Sequence, residues 1–122
     1  MTECLFCRII AGELPSTEVA STDRSFAFRD IDPKAPTHVL IVPRRHVTTA
    51  DDLCREDAED LIDLILLAQQ IARDEGLVTD DVSPARRGGY RLVFNVGTDA
   101  GNLVPHLHLH VLGGRPLSWP PG

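Results

Sequence analysis

The chain has 122 residues, of which 43% are hydrophobic and 25% charged, and its formal net charge is −6. This length fits one domain over residues 1–122, and the balance of apolar and charged residues excludes long disorder. The negative charge disfavours binding to nucleic acid or an anionic membrane, since both need basic patches, but it leaves room for a small phosphorylated ligand. The longest apolar run, Leu64–Ala68, is too short to span a bilayer.

The compartment is inferred from the N-terminus and the cysteines. The first residues, Met-Thr-Glu-Cys, lack the basic and apolar regions of a signal peptide. Three cysteines, an odd number, favour thiols or metal ligands over disulfides. We therefore expect a cytoplasmic protein. Cys54 has no evident role and is expected to be a buried apolar thiol.

The first predicted elements are short. Leu5–Ile10, closed by Gly12, is expected to form one or two helical turns. Residues 18–20 and 26–28 are predicted strands, separated by a polar turn composition. Thr37–Val42 is apolar and β-branched and is stopped by a proline, which is typical of a buried central strand.

Apolar residues recur with a helical period from Leu53 to Glu75, and Gly76 is expected to end this helix. One face is predicted from the apolar positions spaced by three and four residues, namely Ala58, Leu61, Ile62, Ile65, Ala68 and Ala72. Three further leucines widen the apolar surface and suggest a subunit interface: Leu64, Leu66 and Leu67. Seven of the 18 acidic residues lie between Asp51 and Asp63 and are expected to form a solvated face near the helix start.

The last third of the chain alternates loops and strands. Leu77–Gly89 is predicted as a loop, Tyr90–Val96 as a strand, Gly97–Asn102 as a glycine loop and His106–Leu112 as a strand. About five strands with one long helix between the third and fourth predict an α+β domain with a mostly antiparallel sheet.

Three histidines alternate with apolar residues at His106, His108 and His110. In a strand their rings share one face, and three imidazoles in a row each need polar partners. The row of histidines has three possible interpretations. It is a solvent-exposed sheet face, a metal site with an H-x-H pair, or a catalytic site in which one histidine is oriented by the others. A nucleophilic histidine must be neutral with one nitrogen locked, and the middle ring is best placed for an attack on phosphorus. Gly97 and Gly101 favour an anion-binding loop.

The chain resembles the histidine triad (HIT) family of nucleotide-binding proteins. The similar motifs cover nearly the whole chain: Leu5–Ile10, Phe28–Pro33, Ala35–His38, Val42–His46, His106–Leu112 and Gly113–Arg115. The end, Trp119-Pro-Pro-Gly122, looks like the Hint branch of purine nucleoside phosphoramidases rather than the Fhit branch of dinucleoside polyphosphate hydrolases.

The resemblance implies a homodimer whose five-stranded sheets join, with a purine nucleotide such as AMP beside the histidines. It implies that His108 attacks the α-phosphorus to give a nucleotidyl-histidine, that His110 contacts the phosphate, and that His38 forms a proton relay with His106. The nucleotide-binding residues implied are Leu5, Phe6, Asp30, Ile31, Leu40, Asn95, Gly101, Asn102, Leu103, His108, His110 and Trp119, the last reaching the partner's site. Some relatives hold a structural zinc, for which the matching ligands are Cys4, Cys7, His46 and His106.

Two departures from the relatives are visible. Leu103 occupies the position at which Hint relatives typically carry a serine beside the leaving group. The hydroxyl that could help to protonate the leaving group is therefore missing. The loop over Val78–Gly88 looks longer than in relatives, with no role assigned. We expect a nucleoside phosphoramidate hydrolase; the alternatives are a dinucleoside polyphosphate hydrolase, a metal-dependent enzyme using the H-x-H pair, and a nucleotide-binding regulatory protein with weak catalysis.

Overall fold

The computed structural model describes residues 4–78 and 88–122, so most of the predicted Val78–Gly88 loop lies outside the described residues. Its elements in chain order are α1 (Leu5–Ile10), β1 (Glu18–Ser21), β2 (Ser25–Arg29), β3 (Thr37–Pro43), α2 (Ala50–Glu56), α3 (Ala58–Asp74), β4 (Tyr90–Phe94), a 3₁₀ turn (Thr98–Ala100) and β5 (Leu109–Gly113). No helix among these residues is long and apolar enough to cross a bilayer.

The five strands form one sheet in the order β1-β2-β3-β5-β4, and every neighbouring pair is antiparallel. The predicted α+β class with a five-stranded antiparallel sheet is therefore confirmed. All seven residues of β3 are buried, as its β-branched apolar sequence predicts. One sheet face packs on α3 through residues such as Val39, Ile41 and Leu109, and the other packs on α1 through Phe6 and Phe28.

The single long helix predicted from Leu53 to Glu75 is two helices. Asp57 between them is extended, with φ −159° and ψ 93°, and its carboxylate accepts the backbone N–H of Glu59 as the N-cap of α3. Thr49 caps α2 in the same way by accepting from the N–H of Asp52. An aspartate can satisfy the exposed amides of a helix start, so it favours a new start over continuation.

The buried face of α3 is displaced from the predicted one. Leu64 and Leu67, predicted to widen the apolar surface, belong to the core, whereas Ala58 and Ile62 are exposed. The surplus apolar surface lies instead at Ile62 and Leu66, which are 54% and 56% exposed. The prediction for Cys54 is also wrong, because this thiol is exposed on α2.

The acidic residues of α3 are not only a solvated face. Asp60 is 6% exposed and accepts from both Arg24 and Arg45. Asp63 accepts from the hydroxyls of Thr22 and Ser25, each at 2.6 Å. These bonds tie the start of α3 to the β1–β2 turn and to the segment after β3.

The histidine strand is shorter than predicted, since β5 begins at Leu109. Before it, the N–H of Leu107 donates to the carbonyl of Val47 at 2.7 Å, and the carbonyl of His106 accepts from a side chain. These bonds replace ladder pairing, yet the alternation persists, with Leu107, Leu109 and Val111 in the core against α3.

Candidate active site and metal-ligand cluster

The three alternating histidines form a row of rings on the sheet face that carries α1. The ring centroids of His108 and His110 are 5.0 Å apart, and the ring of Phe6 lies 5.1 Å from His108 and 5.9 Å from His106. His106 is fully buried, whereas the other two histidines are partly exposed. The strand period therefore places the rings on one face, as expected.

His108 is held by the backbone of its own segment. Its Nδ1 lies 2.9 Å from the carbonyl oxygen of His106. A carbonyl only accepts, so Nδ1 carries the proton and Nε2 of the neutral ring keeps its lone pair. No hydrogen-bond partner of Nε2 is found among residues 4–78 and 88–122. The imidazole is thus fixed in one tautomer with its outer nitrogen available.

His38 and His110 form a directed hydrogen-bond chain. The backbone N–H of Lys34 donates to Nδ1 of His38 at 3.0 Å, which leaves the proton of the neutral ring on Nε2. Nε2 of His38 lies 3.0 Å from Nδ1 of His110 and donates to it. His110 then carries its own proton on Nε2, which lies 3.5 Å from Nδ2 of Asn95. The relay expected between His38 and His106 is wrong, because the partner of His38 is His110.

Burial keeps these two rings neutral. It lowers the pKa of His110 to about 4, and the neighbouring His108 and His38 act in the same direction. Burial also lowers the pKa of His38, although the carboxylate of Asp30, 3.4 Å from Nε2, opposes the shift. At neutral pH both imidazoles of this hydrogen-bond chain are therefore uncharged, as the donor and acceptor assignments above require.

A second cluster joins the N-terminal helix to the first histidine of the row. Its short contacts are Cys4 Sγ to His106 Nδ1 at 3.3 Å, Cys7 Sγ to His46 Nδ1 at 3.3 Å, Cys7 Sγ to His106 Nδ1 at 3.5 Å, and His46 Nδ1 to His106 Nδ1 at 3.2 Å. All four ligating atoms lie within 4.8 Å of one another. The structure therefore brings together all four of the predicted metal ligands.

The donor set fits a tetrahedral zinc ion. Bonds of about 2.0–2.1 Å to nitrogen and 2.3 Å to sulfur give nitrogen–nitrogen edges of about 3.3 Å and nitrogen–sulfur edges of about 3.6 Å. Nε2 of His106 lies 2.9 Å from the carbonyl of Pro43 and donates to it, so Nδ1 keeps the lone pair that a metal needs. Residues Asp30, His38 and His110 also lie close together, but His38 directs a proton, not a lone pair, into that group.

The residues predicted to line the base pocket differ in exposure. Phe6 and Leu40 are 4% and 7% exposed, so they support the site from the core and offer little surface to a ligand. Leu5 and Ile31 are 47% and 99% exposed and can supply apolar contact area. Asp30 follows β2 and lies beside His38.

The glycine loop has the predicted backbone but not the predicted free amides. Gly97 and Gly101 have φ angles of 84° and 83°, which a residue with a Cβ rarely adopts. However, the N–H of Gly101 donates to Thr98 and that of Asn102 donates to Gly97, so both amides close the loop. In this conformation they do not point at a phosphate. The side-chain oxygen of Asn102 is buried without a hydrogen-bond partner among the described residues.

The C-terminal tail continues from the end of β5 past the start of β4. Gly113 at the end of β5 pairs with Tyr90, whereas His110 pairs with Val93 further along β4. Beyond β5 the tail is fixed by a bond from Arg91 to the carbonyl of Ser118 at 2.9 Å. Trp119 is 81% exposed.

Comparison with known proteins shows the family to which the chain belongs. The HIT domain family matches residues 11–117, which is most of the chain. The protein belongs to the HIT family. Of the three alternating histidines, His106 contacts the two cysteines through Nδ1, whereas His108 and His110 are partly exposed.

Among curated relatives, the purine nucleoside phosphoramidase of Escherichia coli K12 is 43% identical over 115 residues, covering 94% of this chain and 90% of the relative. An uncharacterised HIT-like protein of Synechocystis is 40% identical over 120 residues, covering 98% and 97%. A HIT family hydrolase from Legionella pneumophila has a solved structure with a TM-score of 0.85 and 47% identity, covering 98% of this chain and all of that one.

Two contributors to the HIT site are backbone groups that sequence reasoning missed. The N–H of Lys34 fixes the tautomer of His38, and the carbonyl of Pro43 fixes that of His106. Every residue has such groups, so no residue type marks them. Only the turn after Asp30 and the end of β3 bring them to the rings.

Proposed function

We propose that this HIT protein is a hydrolase of purine nucleoside phosphoramidates that acts through a covalent nucleotidyl-histidine on His108. The observation that carries the proposal is the bond between His108 Nδ1 and the carbonyl of His106, which leaves Nε2 as a lone-pair nitrogen on the open side. The phosphoramidase named among its relatives supports this substrate class.

In the first step Nε2 of His108 attacks the α-phosphorus, a P–N bond to the histidine forms, and the P–N bond to the leaving amine breaks. The amine departs after taking up a proton from solvent, to which the water that attacks in the second step returns one. The imidazolium formed on His108 is stabilised by its Nδ1–H bond to the carbonyl of His106. Water then attacks the phosphorus, so the nucleoside monophosphate is released and His108 is regenerated.

Two side-chain donors are available for the phosphate oxygens. Nε2–H of His110 and Nδ2 of Asn95 lie 3.5 Å apart, and a shared anion would accept from both. The pKa of His110 is lowered by burial, so this donor is a neutral imidazole at neutral pH. Asp30 follows β2 at the same end of the site, where its carboxylate would accept from the ribose hydroxyls.

The test is the mass of the intact protein after a rapid quench with an adenosine phosphoramidate. Wild type is expected to show a population heavier by one AMP moiety, which His108→Ala lacks along with turnover. Loss of the nucleophile costs several orders of magnitude in rate. AMP binding, measured by calorimetry, should persist in that variant. If His108→Ala turns over at the wild-type rate, the covalent mechanism is wrong.

The same assay separates the alternatives. Faster turnover of a dinucleoside polyphosphate than of the phosphoramidate would assign the chain to that activity. Nucleotide binding without turnover of either substrate would support a regulatory role, which the leucine at position 103 favours.

We also propose that Cys4, Cys7, His46 and His106 hold one structural zinc ion per subunit. When bound, zinc would fasten α1 to the segment that begins the histidine row, and its binding energy would add to folding stability. Elemental analysis of protein purified without chelator should find about one zinc per chain, and His46→Ala should lower that ratio. Arg44, exposed on the same segment, supplies the matched control Arg44→Ala. The zinc proposal is refuted if wild-type protein purified in this way contains no zinc.

A further inference from the structure

Two of the four cluster side chains are thiols in a C-x-x-C spacing, and both are only partly buried. Their sulfur atoms lie within 4.8 Å of each other. We propose that Cys4 and Cys7 are a reversible oxidation site: hydrogen peroxide joins them in a disulfide, the metal leaves the cluster, and attack by His108 slows. This inference rests on the proposed zinc site and the proposed nucleophile.

The two sulfurs are arranged for pairing. Cys4 is the N-cap of α1 with an extended backbone, and the N–H of Cys7 donates to its sulfur at 3.5 Å. The Cys4 sulfur therefore already lies over the first helical turn beside Cys7. A disulfide needs its sulfurs about 2.05 Å apart, which side-chain rotation from the present separation can approach.

The oxidant can reach the pair from solvent. His46, which contacts the Cys7 sulfur at 3.3 Å, is an exposed residue, so that side of the cluster is open. Two thiolates, one peroxide and two protons give one disulfide and two waters. One thiolate attacks the peroxide, so an S–O bond forms as the O–O bond breaks and hydroxide leaves. The second thiolate then attacks that sulfur, the S–S bond forms as the S–O bond breaks, and the two protons convert both hydroxides to water.

The disulfide would no longer hold the metal, because the thiolate and not the neutral sulfur is the ligand. Only the imidazoles of His46 and His106 remain, and two ligands do not make the closed four-ligand site of structural zinc. Reduction of the disulfide restores both thiolates, so the site can be reloaded.

Two contacts connect the cluster to the nucleophile. His106 faces the cluster with Nδ1, while its carbonyl accepts the Nδ1–H of His108. Phe6, between the two cysteines in α1, is 4% exposed and lies against the rings of His106 and His108. Loss of the metal removes one restraint that α1 and the His106 ring share, while the bond from His106 Nε2–H to Pro43 remains. The packing of Phe6 against His108 and the position of the His106 carbonyl are then held less firmly, and misplacement of this kind costs roughly tenfold to a hundredfold in rate.

The experiment uses the full zinc-loaded chain carrying Cys54→Ser, because the exposed Cys54 thiol would otherwise form bridges between molecules. After graded peroxide treatment, four quantities are followed: the Cys4–Cys7 disulfide by peptide mass mapping, zinc release with a colorimetric chelator, turnover of an adenosine phosphoramidate, and the ¹⁵N shifts of the His108 ring. The matched control adds Cys4→Asp, which keeps an anionic ligand but cannot form the disulfide.

We expect disulfide formation, zinc release and loss of turnover to follow one dose curve, with recovery on addition of dithiothreitol and zinc. The His108 ring should change from one tautomer to a mixture. In Cys4→Asp the ratio of treated to untreated turnover should stay near one. The inference is overturned if peroxide leaves both thiols reduced or over-oxidised, or if the disulfide forms while zinc or the His108 spectrum does not change.

The failures of the parent proposals are distinguishable. Protein that contains no zinc before treatment overturns the zinc proposal and this inference together. Protein that contains zinc but has no turnover overturns only the proposed reaction. In that case the ¹⁵N shifts of His108 alone test whether oxidation of the cysteines alters the His108 ring.

Discussion

The backbone N–H of Lys34 donates to Nδ1 of His38 at 3.0 Å, and this bond sets the direction of the hydrogen bonds behind the proposed phosphate site. Because an amide N–H only donates, the neutral His38 ring keeps its proton on Nε2 and gives it to Nδ1 of His110 at 3.0 Å. His110 must then offer an N–H, not a lone pair, at Nε2. A carbonyl at the position of the Lys34 amide would reverse that polarity and place a lone pair against the phosphate.

The first prediction is that His38 acts as a positioning residue through His110. His38→Ala should lower turnover by roughly tenfold to a hundredfold and weaken AMP binding, because the His110 ring can then adopt either tautomer. His38→Gln, whose amide NH₂ can take the place of Nε2–H, should recover part of both losses. Kinetics, calorimetry and the ¹⁵N shifts of His110 measure the effect. Equal activities of the Ala variant and wild type would refute the role.

The second prediction concerns pH. Burial, with the neighbouring His108 and His38, lowers the pKa of His110 to about 4 from an ordinary value of 6.5. Between these values the unfolded chain binds more protons than the folded one, so the free energy of unfolding rises with pH there and is unaffected by this group above the window. Denaturant unfolding from pH 4.5 to 7.5 should show a smaller slope for His110→Asn than for wild type. An identical slope in the two proteins would contradict the shift.

How far the sequence predicts the site depends on the range of the interactions involved. The shared face of His106, His108 and His110 follows from local alternation, which persists even where β5 has not yet begun. The pairing of His38 with His110 depends on register between distant strands: His38 lies opposite Leu112, and Leu40 lies opposite His110, so the two histidines meet diagonally. No pattern within either segment contains that register.

The helical region shows the same limit. Its period is readable from the sequence, but the end of α2 at Glu56 is decided by capping from Asp57, and the buried face is decided by the sheet beneath. The burial of Asp60 could not be predicted from its acidic neighbours, because its partners Arg24 and Arg45 come from other parts of the chain.

The third prediction is that Asp60 contributes more to stability than the exposed acids around it. Asp60→Asn removes the charge that Arg24 and Arg45 share. Both arginines are partly exposed, so we expect a loss of about 1–2 kcal/mol in the free energy of unfolding rather than the larger cost of a fully buried pair. The control is Glu59→Gln, whose carboxylate contacts Arg24 but is 79% exposed, and which should change little. Denaturant melts compare them, and equal losses would contradict the argument.

The fourth prediction tests the leucine at the leaving-group position. Leu103 is 87% exposed, so its replacement removes no core packing. Leu103→Ser supplies a hydroxyl that can bridge phosphate and leaving amine. We expect kcat on an adenosine phosphoramidate to rise about tenfold, which is less than the roughly hundredfold or more of a fully positioned proton-transfer group. Leu103→Ala separates the added hydroxyl from the lost leucine and should stay near wild type. If the Ala variant gains as much as the Ser variant, the hydroxyl is not the cause.

The last prediction is a homodimer in which Trp119 completes the partner's site. In the described part of the sheet β4 pairs only with β5, so its other edge is open for joining a second sheet. Leu92 on β4 and Leu66 on α3 are 37% and 56% exposed, which supplies apolar surface for the contact. Sedimentation equilibrium should find a dimer at micromolar concentration. Leu92→Glu should weaken it, whereas Ser21→Glu, on an exposed position of β1 at the opposite edge of the sheet, should not.

Subunit mixing then decides where Trp119 acts. Trp119 is 81% exposed, so its ring can contact a second subunit, and Trp119→Ala should lower the activity of the partner's site. His108→Ala subunits are inactive but carry an intact Trp119. In a mixed dimer that tryptophan reaches the site of the Trp119→Ala subunit, whose His108 is intact, and one complete site results. Mixing the two variants should therefore raise turnover per Trp119→Ala subunit toward the wild-type value. If Trp119 acts within its own chain, mixing leaves that turnover unchanged, and a stable monomer would refute the arrangement outright.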